Sequence, residues 1–197
     1  MKLLHEILHD NEHFVKNKEY LPYQATKYPS KQMVILTCMD TRLVELIPSA
    51  LNVHNGEVII LKNAGGIITH PFGSIMRSMV VAIQELYAEE IYVIGHHRCG
   101  MNSVNPKETL QGLLDQGVAS ENTLSTLEFA GINLQKWLYG FDNVVDMVKG
   151  NIDIIRNHPL ISKKIPVHGL VIDPDTGKLD LTIDGYKEIP KDESIFV

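Results

Sequence analysis

A mostly parallel α/β sheet, flanked by helices, closed by a C-terminal hairpin and preceded by a helical arm, is the fold class that three observations predict. First, short apolar runs rich in β-branched residues end in polar turns at residues 33–37, 57–61 and 91–95. Second, helix-period stretches lie between these runs. Strand–helix–strand units therefore repeat, the pattern of a parallel sheet with right-handed crossovers. Third, two more strand-like runs, 167–172 and 178–183, flank Pro174-Asp175-Thr176-Gly177, a turn that joins antiparallel neighbours.

Each element has its own signal. Residues 1–19 carry Leu3, Leu4, Ile7, Leu8 and Phe14 at helical spacing with charges between them, an amphipathic helix that must lie on something. Residues 20–31, with Pro22 and Pro29, read as a connector. A short helix is predicted over 43–51, and Asn55-Gly56 announces the second strand. Asn63-Ala64-Gly65-Gly66 reads as a loop whose glycines let backbone approach a ligand or a partner chain. It lacks the spacing and the lysine-serine ending of a phosphate loop. A long helix is predicted over 72–89, with Ile75, Met79, Val80, Ile83 and Leu86 as its buried stripe. Residues 106–158 read as helical throughout, with Pro106 in a first turn and Asp142 capping a helix that runs to Asn157. Between those two helices, 124–139 with the single tryptophan, Trp137, is expected to pack as core. Pro159 stops the last helix.

Composition narrows the function classes. The chain has 197 residues, 44% hydrophobic and 21% charged, enough for a substantial core. No repeat, low-complexity tract or boundary interrupts it, so 1–197 reads as one domain with 1–31 as arm and connector. A net charge of −6 offers no basic surface for nucleic acid or anionic lipid. No apolar run approaches the roughly 20 residues of a membrane span. The start, Met1-Lys2-Leu3-Leu4-His5-Glu6, is charged too early for a signal peptide, and the expected location is the cytoplasm.

Both cysteines fall where a predicted strand runs out into a polar turn. Cys99 belongs to His96-His97-Arg98-Cys99, and two residues three apart on a turn can point at one centre. Neutral imidazole and thiolate are the ligand types zinc takes most readily. Cys38 supplies a third if its strand and the one leading to His96 are parallel neighbours, because open α/β sheets gather their sites at the carboxyl ends. Three protein ligands with an open fourth position mark a catalytic zinc, whereas structural zinc is closed by four. Taken singly, either cysteine reads as a small buried residue and His96 as a core histidine. A disulfide does not suit a chain without an export signal. Their joint placement favours Cys38, His96 and Cys99 as zinc ligands.

The same two motifs carry a family resemblance. Cys38-Met39-Asp40-Thr41-Arg42 resembles the Cys-x-Asp-x-Arg of β-class carbonic anhydrases, and His96-His97-Arg98-Cys99 resembles their His-x-x-Cys. Lys62-Asn63-Ala64-Gly65-Gly66 is similar to the loop after the family's second strand. Val167-His168-Gly169-Leu170 with 173–179 is similar to its late strand and hairpin. The likeness runs from about 33 to 183 and is closest to the small, compact branch of the family.

The resemblance implies a lyase that reversibly hydrates carbon dioxide to bicarbonate and a proton, with zinc as cofactor. Asp40 and Arg42 carry over as a catalytic dyad in which Arg42 holds the carboxylate that orients the reacting water. The family's N-terminal arm packs on a partner subunit, which implies a homodimer or a higher homo-oligomer. His97 is no ligand by the motif and reads as a solvated turn histidine; Arg98 reads as a structural or interface charge, and His54 is given no role. One branch of the family binds regulatory bicarbonate through an arginine where this chain has Lys62, which lacks the planar fork of donors. Two alternatives remain: a carbon disulfide or carbonyl sulfide hydrolase on the same scaffold, and a non-catalytic zinc-binding protein. The dyad speaks for an enzyme over the last; nothing in the sequence separates the first two.

Overall fold

In a computed structural model, residues 2–189 are described. The arm is helix α1, Leu3–Lys16, with no buried residue. A single 3-10 turn and a connector lead to strand β1, Met33–Cys38, then helix α2, Leu43–Ala50, and strand β2, Val58–Asn63. Helix α3, Ser74–Gln84, precedes strand β3, Glu90–His96. Helices α4 (Pro106–Asp115), α5 (Glu121–Phe129), α6 (Leu134–Leu138) and α7 (Val144–Arg156) follow, then β4 (Val167–Ile172) and β5 (Leu179–Ile183).

The sheet order is β2-β1-β3-β4-β5, parallel except for the last pair. Successive side chains point to opposite faces of a strand, and both faces here are covered. Val34, Leu36, Ile91, Val93, Val167 and Val171 pack against α3 and α7 on one side. On the other, Ile35, Ile94 and Ile172 pack against Leu43 and Ile47 of α2. Because both faces are buried, β1 and β3 are apolar runs rather than alternating ones.

The chain leaves β1 through α2 to β2 on one side, then returns through α3 over the opposite face to β3 on the other. Right-handed crossovers require such a change of face when the direction of winding reverses. The reversal lies between β1 and β3, whose pairing ends at Thr37 opposite Ile94, and a crevice lies just beyond. Thr37 Oγ1 donates to the Ile94 carbonyl at 2.9 Å and pins the two strands just below it. Gly95 and Gly169 let α7 lie close on the sheet: a Cβ at Gly95 would fall 2.6 Å from Val144 Cγ2 and 2.9 Å from Val148 Cγ2.

Several boundaries differ from the sequence reading. Lys62 and Asn63 belong to β2, because parallel pairing with β1 continues to Cys38 opposite Asn63. α3 is shorter at both ends than 72–89; Gly73 is its N-cap, and Tyr87 turns the chain into β3 at φ 58°. Its buried face is Met76, Met79, Ala82 and Ile83, with Ile75 and Val80 at the margin and Leu86 beyond its end. The cap of α7 is Asn143, whose Oδ1 accepts from Val145 N and Asp146 N, not Asp142. Trp137 is not core: it is 63% exposed. α6 packs on both α4 and α5, and only Leu134 among the three is buried.

Candidate metal centre

Cys38 ends β1 and His96 ends β3, and the turn after β3 brings Cys99 back to face both. Their ligand atoms lie within 4.8 Å of one another and all three residues are buried. The cysteines are free, with Sγ atoms 3.8 Å apart, far beyond a disulfide bond. Two sulfurs held about 2.3 Å from a tetrahedral zinc would stand about 3.8 Å apart, so the pair fits that ion.

His96 completes the fit. Its ring is 1% exposed, and Nδ1 lies 2.9 Å from the His97 carbonyl, which can only accept. The proton therefore sits on Nδ1, and Nε2 turns a lone pair toward the sulfurs. That Nε2 is buried without a hydrogen-bond partner among the described residues, the signature of an atom meant for a ligand. Electrostatics favour anion formation at the pair. The hydrogen bond from the Cys99 thiol lowers the Cys38 pKa, against burial, which pushes it up. Cys99, as donor to that thiolate and itself buried, is raised.

Beside the triangle stands Asp40, with Oδ2 3.8 Å from His96 Nε2. Arg42 holds it by both oxygens: Nε donates to Oδ1 at 3.0 Å and Nη2 to Oδ2 at 2.8 Å, with the Arg42 amide adding 2.9 Å to Oδ1. Bidentate, charge-assisted pairing of this kind fixes orientation as well as charge. The Arg42 hydrogen bonds keep the Asp40 carboxyl well below the usual carboxylate range. Arg42 Nη2 also donates to the Arg98 carbonyl at 3.0 Å, so one side chain links the two ligand turns.

The crevice over these groups is a cavity of about 430 Å³. Met39, Ala64, Gly65 and Met101 give it apolar walls, and Asp40 and Arg42 the polar side. A smaller cleft of about 70 Å³ near Arg156 and Val167 lies at the opposite end of the strands and holds none of these residues.

One supporting group escaped the sequence reading. Asn151, on α7 and 3% exposed, accepts from Ile68 N at 2.9 Å and donates to the Gly66 carbonyl at 2.7 Å. It fastens the loop that forms the cavity wall. Gly66 itself, at φ 65°, lies so close to β1 that a Cβ would sit 3.0 Å from the Thr37 carbonyl carbon. Asn63 clips the same loop through Ile67 N and O. The available signal was a lone asparagine between Val148 and Ile152 in an apolar stripe. Arg98, at φ 52°, pairs with Asp173 and Asp175 at 3.3 and 2.7 Å and ties the Cys99 turn to the hairpin. His97 takes part through its carbonyl rather than its ring. His54 lies at the surface, 3.5 Å from Glu57, and Lys62 is exposed.

Comparisons with known proteins find relatives in sequence and in fold. The family described as Carbonic anhydrase matches residues 33–179. YvdA of Bacillus subtilis, whose carbonic anhydrase name is itself provisional, is 52% identical over 187 residues, covering 95% of this chain and 94% of that protein. A carbon disulfide hydrolase of Acidithiobacillus thiooxidans is 30% identical, over 92% of this chain and 85% of its own. The crystal structure of β-carbonic anhydrase isoform I of Trichomonas vaginalis superposes with a TM-score of 0.85 at 35% identity, covering 94% of this chain and 100% of that one.

Proposed function

The chain belongs to the β-carbonic anhydrase family, and from that premise we propose that it catalyses the zinc-dependent, reversible hydration of carbon dioxide to bicarbonate and a proton. One observation carries the reading: a buried Cys38–His96–Cys99 triangle that opens onto a cavity beside an arginine-held carboxylate. Cys38 and Cys99 as thiolates and His96 through Nε2 would hold zinc. A zinc ion bound there supplies Lewis acidity that makes water a nucleophile near neutral pH.

The chain's own residues do the rest. Asp40 accepts a hydrogen bond from the attacking water and so directs a lone pair toward the carbon of the substrate. Arg42 is the positioning residue that keeps the carboxylate charged and prevents it from turning toward His96. Met39, Ala64 and Met101 give the cavity apolar walls that suit a small apolar molecule. A closed structural zinc needs neither the dyad nor the cavity, which speaks against the non-catalytic alternative.

The carbon disulfide hydrolase relative gives a second reading a specific footing, hydrolysis of carbon disulfide on the same centre. The more similar named relative favours carbon dioxide. A homodimer in the cytoplasm completes the proposal, supported by the uncovered apolar face of α1 and by the lack of any membrane-crossing helix among the described residues. Stopped-flow hydration of carbon dioxide by zinc-loaded protein, run beside a carbon disulfide assay, is the test. Hydration well above the buffer rate with inert carbon disulfide is expected; the reverse result assigns the second reading, and inactivity toward both returns the chain to a zinc-binding role.

A further inference from the structure

Helix α1 carries His5, His9 and His13 at intervals of four, a spacing that places neighbours on one face. His9 and His13 do more than share a face. Their Nε2 atoms stand 3.3 Å apart, with ring centroids at 4.6 Å. Two imidazole nitrogens each about 2.0–2.1 Å from a tetrahedral zinc stand about 3.3 Å apart. Asp10 adds an independent detail: its Oδ1 lies 3.4 Å from His9 Nδ1. A carboxylate on the far nitrogen of a metal-ligating histidine fixes the tautomer and raises the basicity of the near one. Here it directs a lone pair of His9 Nε2 toward His13.

The geometry points to a second zinc site on α1, with His9 and His13 as ligands, Asp10 as the carboxylate behind His9, and solvent in the remaining positions. It shares no residue with the Cys38–His96–Cys99 triangle. Both the His9 ring, with a side chain 63% exposed, and Asp10, at 82%, are open to solvent, so an ion reaches them without any rearrangement.

Such a site has a consequence for the arm. α1 has 14 residues and buries none of them within its own chain, and so short a helix draws little stability from its own hydrogen bonds. An ion bound across one turn holds His9 and His13 at helical separation, so binding free energy becomes helix stability. Zinc at this site would order the arm.

Calorimetric titration of the full-length protein with zinc chloride tests the proposal, by comparing native protein with His9→Gln, His13→Gln and Asp10→Asn. His54→Gln serves as a control at another exposed imidazole. Native protein and the control should take up one zinc per chain more than either ligand variant, whatever the buried triangle holds. Asp10→Asn should weaken that uptake by about tenfold. Hydrogen exchange of the α1 amides should slow on zinc addition in native protein and stay fast in His13→Gln. Equal zinc uptake by native protein and both ligand variants overturns the site. Zinc-independent exchange of the α1 amides in native protein overturns the coupling to the arm.

Discussion

The guanidinium of Arg42 grips both oxygens of Asp40 and reaches the Arg98 carbonyl, so a single residue sets both the charge and the aim of the carboxylate. Arg42→Ala should leave zinc content unchanged while the hydration rate falls by about a hundredfold, the scale of a lost acid–base contribution. Arg42→Lys should not restore it, because a point charge cannot reproduce the two-pronged grip. Full activity in Arg42→Ala would remove the dyad from the mechanism. At the metal, Cys38→Ser or Cys99→Ser should empty most of the site, whereas His97→Ala should keep its zinc, since His97 contributes a carbonyl that survives the substitution. Elemental analysis of purified variants reads this directly; zinc loss in His97→Ala alone would mean that the neighbouring histidine is the ligand.

Strand β4 holds a titratable group that the site does not use. His168 is 5% exposed, stacks on Tyr92 at 4.7 Å and accepts from Gly185 N at 3.1 Å through Nδ1. Burial lowers its pKa, opposed by the nearby charges of Glu90 and Asp184 and assisted by Arg156. The unfolded chain, with an ordinary histidine near 6.5, then binds the proton more readily than the folded one. Stability from this residue is complete above about 6.5 and declines as pH falls below that value toward the lower folded pKa. Urea unfolding of zinc-saturated protein between pH 7.5 and 5 should show that decline, and His168→Gln should flatten it. An unchanged pH slope in the variant would assign the acid sensitivity elsewhere. The helix opposite is equally constrained: Gly95 has no room for a Cβ beneath Val144 and Val148, so the approach of α7 depends on that glycine.

At the scale of the molecule, the arm is the unexplained surface. Leu3, Leu4, Ile7 and Leu8 are each more than half exposed on a helix with no buried residue. A second copy is the partner that the proposed function supplies. Light scattering should give at least twice the 22.1 kDa chain mass, and Leu4→Glu with Ile7→Glu should shift it toward monomer. A monomeric native protein at micromolar concentration with full activity would sink the idea.

The linear sequence determined which cysteine and histidine side chains stand at strand ends as candidate ligands, and the order of strands and helices, because each depends on residues within one or two turns. Cys38 at the end of an apolar run and His96-x-x-Cys99 after another were legible for that reason, as was Pro106 opening a helix. Only the tertiary structure decided what covers each face. Trp137 has the spacing of a core residue and yet stands in solvent, because periodicity marks an apolar face without naming its cover. Asn151 looked like a flaw in a stripe and proves to hold the cavity loop through two long-range hydrogen bonds. The 3.8 Å between the sulfurs was likewise out of reach of the sequence: it depends on β1 and β3 lying side by side, a contact between segments about sixty residues apart.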